Sequence, residues 1–429
     1  MHREYRCCVP AELNSRLTQV LMRFCLLWVA VVSSTVLAST GQPAMPDPAA
    51  ARIAAARSAI ASNSKSWQPH IDLAEELCRK ARDSEEVSYY KAAQAELDIA
   101  LKISPGNYSA RKVETSILLG EDDLPSALKL AGELNRTTPD DAAVWALLAE
   151  INSRLGRYSE ALRDAQWILD LRPGSSLGFI EAAALRQEHG DAEGAIEFYQ
   201  EALRRITYGD SVQRAWLLVQ IGYAALQAGN ISVAREQFEL SLKVNPQSRI
   251  AAAGLAKVRI AEGEYASAIS LLKERYEAIR EAHALYELAD AFERAGRSAE
   301  AKTAFADFEV IASHTANPAL PYATDLIYYY TDRKPSMRET ALQLATQDSA
   351  ARRDWRMLAA HAWALYANQR FAEAHDEMHE ALSVGIRDAE ASCRASRIST
   401  AVDDRQMALA YAAQANALRP NSCMQGQGR

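Results

Sequence analysis

Between residues 142 and 175, Trp145, Leu148, Ala149 and Asn152 fall at i, i+3, i+4 and i+7, then Gly156 interrupts, Ala161, Ala165 and Ile168 form a second stripe, and Pro173 closes it. One-sided spacing of this kind predicts a helix, a turn and a second helix, each with a single buried face. Small residues at Ala149 and Ala161 let the two backbones come close. Equivalent places recur as Phe179, Ala182, Ala183, Gly190, Ala195, Tyr199 and Ala202, and again as Leu218, Ile221, Gly222, Gly229, Ala234, Phe238 and Pro246. Two further units read Leu255, Ala256, Gly263, Ala268, Leu272 and Tyr286, Ala289, Gly296, Ala301, Phe305. Pro105, Pro139 and Pro173 stand 34 residues apart, each twelve residues after an alanine (Ala93, Ala127, Ala161). A period of that length is one helical hairpin stacked on the next, so function must be read from an array and not from one catalytic motif.

Aligned on the recurring alanine, units start near 108, 142, 176, 215, 249, 283, 322, 355 and 389, preceded by a longer unit at 64–107. The pattern resembles that of the tetratricopeptide-repeat family over residues 64–420. The resemblance implies an all-α, right-handed superhelical solenoid of about ten hairpins with a concave groove. Five-residue insertions near 208–214 and 314–321 mark breaks or hinges. Residues 39–63, with Pro43, Pro46 and Pro48 before an alanine-rich stretch, read as a linker and leading helix, and 421–429 as a tail. The last unit carries Ser392, Ser396 and Ser399 on its first helix and is poor in apolar residues, so this end is expected to fray or to dock, for instance on a second copy of the chain.

In the family, places 2, 5, 9, 12 and 13 of each first helix line the groove. Carried onto this chain they give Trp216, Val219, Tyr223 and Gln227, then Ile250, Ala253, Lys257 and Ile260, and further along Glu287, Arg294, Tyr330, Trp363 and Tyr366. Aromatic residues there are candidate anchors for a bound segment. The lysine and asparagine clamp that some family members use for acidic C-terminal tails does not match. Its places hold Ala146 and Glu150, Ile180 and Ala184, Val219 and Tyr223, so an apolar or mixed peptide is the expected ligand.

Composition narrows the classes. Asp+Glu outnumber Lys+Arg 55 to 48, the formal charge is -7 and the pI near 5.7, which argues against a polyanion such as nucleic acid as partner. Arg23 precedes the apolar run Phe24–Val32, followed by Ser33-Ser34-Thr35 and Val36-Leu37-Ala38, the form of a signal peptide cleaved after Ala38, with Met22 as an alternative start. From Phe24 to Ala38 the run is short of the ~20 apolar residues of a membrane span, so a retained anchor is the weaker reading. An exported, periplasmic or secreted protein is expected.

Cys393 and Cys423 lie 30 residues apart in the last unit and could bridge in an oxidising compartment; with Cys78 the mature count is odd, and unpaired thiols are the alternative. His375 and His379, four apart on a helix, form the one metal-like pair, with Asp376 where a metalloprotease carries its glutamate; a solvated helix flank explains them as well. No G-x-S-x-G motif or phosphate-cradling glycine loop occurs, and carboxylate pairs such as Glu85-Glu86 and Asp122-Asp123 suit helix starts. The sequence therefore predicts a non-enzymatic scaffold of the cell envelope, with no cofactor, binding a protein or peptide segment in its groove. The alternatives are a self-associating structural element and a zinc-binding protein.

Overall fold

The computed structural model describes residues 48–206, 210–314, 323–419 and 423. Among these the chain is all-helical. A leading helix α1 (Pro48–Ser62) precedes ten antiparallel hairpins: α2 (Gln68–Ser84) with α3 (Ser88–Ile103), α4 (Tyr108–Gly120) with α5 (Leu124–Thr137), α6 (Ala142–Arg154) with α7 (Tyr158–Leu171), and α8 (Ser176–Glu188) with α9 (Ala192–Arg205). Next come α10 (Ser211–Gln227) with α11 (Ile231–Val244), α12 (Arg249–Ala261) with α13 (Tyr265–Ile279), and α14 (Ala282–Arg294) with α15 (Ser298–His314). The last three are α16 (Ala323–Arg333) with α17 (Arg338–Ala351), α18 (Trp355–Ala367) with α19 (Phe371–Ser383), and α20 (Ala389–Ala401) with α21 (Arg405–Leu418). Each helix packs on the next in chain order, the arrangement of a helical repeat solenoid.

Local chemistry sets the boundaries. Side chains of Asn107, Asp123, Asp141, Asp191, Asp210, Asn230, Ser248, Asp354, Asp388 and Asp404 each accept a hydrogen bond from a backbone N–H of the helix that follows, satisfying donors the first turn leaves free. The turn inside five hairpins is left-handed at Gly156, Gly190, Gly229, Gly263 and Gly296; Glu85, Asp122, Gln369 and Asp403 take the same conformation in four others.

Small residues fix the distance between paired helices. Ala149 and Ala161, Ala183 and Ala195, Ala256 and Ala268, Ala289 and Ala301, and Ala362 and Ala374 are all buried. In the fifth hairpin the place is Gly222, where an added Cβ would sit 2.7 Å from the Phe238 ring; Gly254 of the next hairpin meets the same ring at 2.3 Å. The fully buried Phe238 thus fills a slot cut by two glycines.

First helices begin within a residue of expectation in eight of the ten units; α2 starts at Gln68 and not at 64, and α10 starts at Ser211 and not at 215. Its inserted residues extend the helix by a turn, because Asp210 caps it through the N–H of Gln213. The second insertion, the segment of residues 1–47, and the tail apart from Cys423 lie outside the described residues. The serine-rich last unit keeps its hairpin form: Ser392 and Ser399 are buried, and Ser396 Oγ donates to the carbonyl of Ala408 at 2.8 Å, so small polar side chains do the spacing that alanine does elsewhere.

The array coils far enough to lie against itself. Arg249 donates to the Ser84 carbonyl (2.8 Å) and to Glu86 (2.5 Å), Arg275 grips Glu85 with two bonds of 2.7 and 2.9 Å, and Arg352 reaches Asp122 at 3.3 Å. Further along, the Arg353 N–H donates to the Leu155 carbonyl (3.3 Å), the Trp355 N–H to the Tyr158 hydroxyl (3.1 Å), and the Trp355 indole N–H and the Arg356 guanidinium to Glu188 (2.6 and 3.0 Å). Partners are 163 to 230 residues apart, so at 34 residues per unit one turn takes roughly five to seven hairpins. Turns inside the earlier hairpins thus meet loops between the later ones along one seam.

Candidate functional site

Winding the groove back on itself converts it into a cavity of about 1480 Å³. Its wall is built mainly from first helices. Gln187 comes from α8, Tyr223 and Gln227 from α10, Lys257 from α12, Glu287 and Arg294 from α14, Asp332 from α16, Trp363 and Tyr366 from α18, and Arg394 and Arg397 from α20.

Eight of the thirteen groove residues carried over from the family line this space: Tyr223, Gln227, Lys257, Ile260, Glu287, Arg294, Trp363 and Tyr366. Five do not, among them Ile250, which packs against the Phe238 cluster, and Ala253, which is buried. Val219 is buried against Ala234, Phe238 and Ala251, where successive hairpins press together. Trp216 packs at the edge of the Tyr199 and Leu217 cluster, on the flank between hairpins. Tyr330 is buried beside Tyr329, because α16 turns that face toward the helices around it.

The wall is densely ionic. Lys257 donates to Glu287 at 2.7 Å, and Arg275 holds the other oxygen of Glu287 at 2.7 Å. His283 Nδ1 sits 2.7 Å from Asp325. Burial alone would lift the Glu287 carboxyl, yet Lys257, His283 and Arg275 outweigh it and hold the group well below the usual carboxylate range. Burial likewise opposes the charge on His283, but Asp325 and Glu287 prevail and raise the imidazole to about 9. For Tyr223 burial dominates and the phenol rises to about 12.

Toward the C-terminal end, the Trp363 and Tyr366 rings stack with centroids 4.8 Å apart. The Trp363 indole N–H donates to Asp332 (2.6 Å), and the Arg394 guanidinium lies 3.8 Å from the centre of the Tyr328 ring. Arg294 bridges Asp290 (2.5 Å) and Glu390 (2.9 Å), and burial of the Glu390 carboxyl is outweighed by Arg394, Arg294 and Arg419, which keep it ionised. Cys393 also lines the cavity and is disulfide-bonded to Cys423, with Cα atoms 5.2 Å apart, which ties a residue of the tail to this wall.

Sequence reasoning missed Glu188, His283, Arg356, Arg387, Arg394 and Arg397, all on the cavity wall. The close spacing of Arg387, Arg394 and Arg397 was the available signal. The pair His375 and His379 is elsewhere: His375 Nε2 stands 3.5 Å from Asp404, and among the described residues no three His, Cys, Asp or Glu side chains converge as metal ligands. His375 is half-buried and His379 exposed on α19.

These features define a helical-repeat solenoid with a half-enclosed groove. A tetratricopeptide-repeat model matches residues 219–281, and that match together with the ten hairpins supports a tetratricopeptide-repeat protein. The Hsp70-Hsp90 organizing protein of Triticum aestivum is 24% identical over 148 residues, 34% of this chain and 26% of that protein, so the match spans about a quarter of the relative's length. Among solved structures, a human IFIT1 dimer with m7Gppp-AAAA is similar at 15% identity, covering 85% of each chain with a TM-score of 0.49. PilW, a type IV pilus biogenesis factor, is similar at 17% identity over 50% of this chain and 96% of its own, with a TM-score of 0.41.

Proposed function

We propose that this protein is a non-enzymatic interaction scaffold of the cell envelope that holds a segment of a partner protein inside its groove. The observation that carries the reading is the cavity running along the first helices from α8 to α20, lined by aromatic and charged side chains. Stability rests on the alanine and glycine contacts between helices, which leaves the lining free to serve recognition. At about 1480 Å³ the space exceeds the ~300–1,000 Å³ of small-molecule sites and suits a stretch of polypeptide. The envelope assignment rests on the basic and apolar leader of residues 23–38. Among the described residues no helix is long and apolar enough to cross a membrane.

The test is photo-crosslinking from Gln227 in envelope extract, compared with a variant carrying Tyr223→Ala, Lys257→Ala and Trp363→Ala. Loss of one specific band in the variant is expected; undiminished capture would move recognition to the convex side or the ends. Arginine at Val29 and Val31 is expected to block processing of the leader, and normal maturation of that variant would sink the export reading. A second reading is favoured by Leu409, which stands 73% exposed on the terminal helix α21: copies of the chain pair end to end there. Light scattering that shows a monomer at all concentrations removes it.

A further inference from the structure

The charges on the cavity wall are unevenly matched. Lys257, Arg294, Arg333, Arg356, Arg394 and Arg419 each face a carboxylate of this chain within 3.4 Å. On the acidic side, Glu188, Glu287, Asp290, Glu293, Asp332 and Glu390 are all taken up by these or neighbouring donors. Arg387 and Arg397 differ. Both line the cavity, and among the described residues neither guanidinium has an ion-pair or hydrogen-bond partner within the chain. A guanidinium on a half-enclosed wall keeps five donors to satisfy, and it favours an anion brought from outside.

The fold holds these two arginines in place. Arg387 follows Gly385, whose φ is +90° and whose carbonyl oxygen would lie 2.0 Å from a Cβ at Gly190, so two glycines let the turns touch and set the Arg387 loop on the cavity rim. Arg397 lies one turn along α20 from Arg394, which sits 5.6 Å from the Trp363 ring, and α20 packs beside α18 with its stacked Trp363 and Tyr366.

Resting on the groove-binding reading, we infer that the cavity takes an acidic peptide segment, whose carboxylates seat on Arg387 and Arg397 beside the aromatic stack of α18. Arg397 stands at the ninth place of its first helix, one of the two places the tail-binding clamp uses, but Arg387 belongs to a loop at the inter-turn seam, so the pair is not a clamp over three successive repeats and a free C-terminal carboxylate is not required. A nucleic acid strand fits less well, because the carboxylates distributed over the rest of the wall would oppose a phosphate at every nucleotide, whereas a peptide carries charges at intervals and amide groups between them.

The test uses the full chain and a fluorescein-labelled, C-terminally amidated decapeptide of alternating glutamate and serine, read by fluorescence anisotropy. A decapeptide with lysine for glutamate and a ten-nucleotide thymidine oligomer serve as comparison probes. The glutamate peptide is expected to bind in preference to both, and Arg387→Ala with Arg397→Ala to weaken it at least tenfold at an unchanged melting temperature. Arg387→Lys with Arg397→Lys is expected to restore affinity to within about threefold, as point charges remain. Should the double alanine variant melt early, Arg397→Gln alone replaces it, with a threefold or greater loss expected. Equal affinity of wild type and variant, or preference for the lysine peptide or the oligonucleotide, overturns the inference. If the partner still crosslinks inside the groove but the glutamate peptide fails to displace it, the acidic ligand is wrong and the scaffold reading stands; if nothing crosslinks inside the groove, the scaffold reading falls first.

Discussion

Contacts between neighbouring hairpins and contacts between successive turns are made of different chemistry. Within the stack, Ala149, Ala161, Phe238 and Ala268 bury apolar surface at repeating places, and the spacing of one hairpin repeats in the next. Along the seam, Glu85, Asp122 and Glu188 meet Arg275, Arg352 and Arg356, and no spacing recurs. Apolar burial is undirected and tolerates repetition, whereas an ion pair holds two particular points of the chain in register. The first kind of contact makes a solenoid; the second decides where it closes, and so the size of its cavity.

The largest expected effect lies in the stack. Phe238→Ala empties the slot formed by Gly222 and Gly254 and is expected to cost about 3–5 kcal/mol in urea unfolding, as for other buried aromatic residues. A loss under about 1 kcal/mol would mean that neighbouring hairpins collapse into the space, and that the apolar contacts are less specific than the comparison requires.

A middle-sized effect is expected at the seam. Arg275 is buried and binds both Glu85 across the seam and Glu287 within the cavity wall, so Arg275→Ala leaves Glu85 without its seam partner and takes one donor from Glu287, which keeps Lys257, at a cost of about 1.5–3 kcal/mol. X-ray scattering should show the radius of gyration rising while the helical circular dichroism signal is kept. Salt sharpens the contrast: near 1 M, where the screening length is about 3 Å, the exposed part of the seam loosens and the apolar stack does not. A variant that loses helix content together with compactness would show that seam and stack are one cooperative unit.

This difference also explains what could be read in advance. Ten hairpins and nearly every first-helix start were legible, because alanine and glycine recur at one spacing and each recurrence supports the rest. The closure was not, since Arg249 and Ser84, or Arg353 and Leu155, are single residues of ordinary composition with well over a hundred residues between them. Eight of the places carried over from the family line the cavity. Val219, Trp216 and Tyr330 were misplaced because closeness of adjacent hairpins buries some groove-facing places, and that distance depends on neighbours in space. Arg387 was missed for the opposite reason: it lies on a loop, outside the helical register that defined the groove.

The smallest expected effect is a pH response confined to the wall joining α14 and α16. His283 pairs with Asp325 across the connection between these helices and also faces Glu287, Lys257 and Arg275. Its imidazole titrates near 9 in the folded chain against about 6.5 unfolded, so the protonated pair contributes fully below pH 6.5 and its contribution fades as pH rises through 9. Glu287 runs the other way: held below the carboxylate range, it contributes above its unfolded value near 4.3 and loses this only in acid. Because the His283 side chain is 44% exposed, water limits its share to about 0.5–1 kcal/mol. Hydrogen exchange should show α14 and α16 opening more readily at pH 9.5 than at pH 6, with the stack around Phe238 unchanged, and His283→Gln should abolish the difference. Equal protection at both values would place the wall under the same apolar control as the stack, and the division between the two kinds of contact would then hold only at the seam.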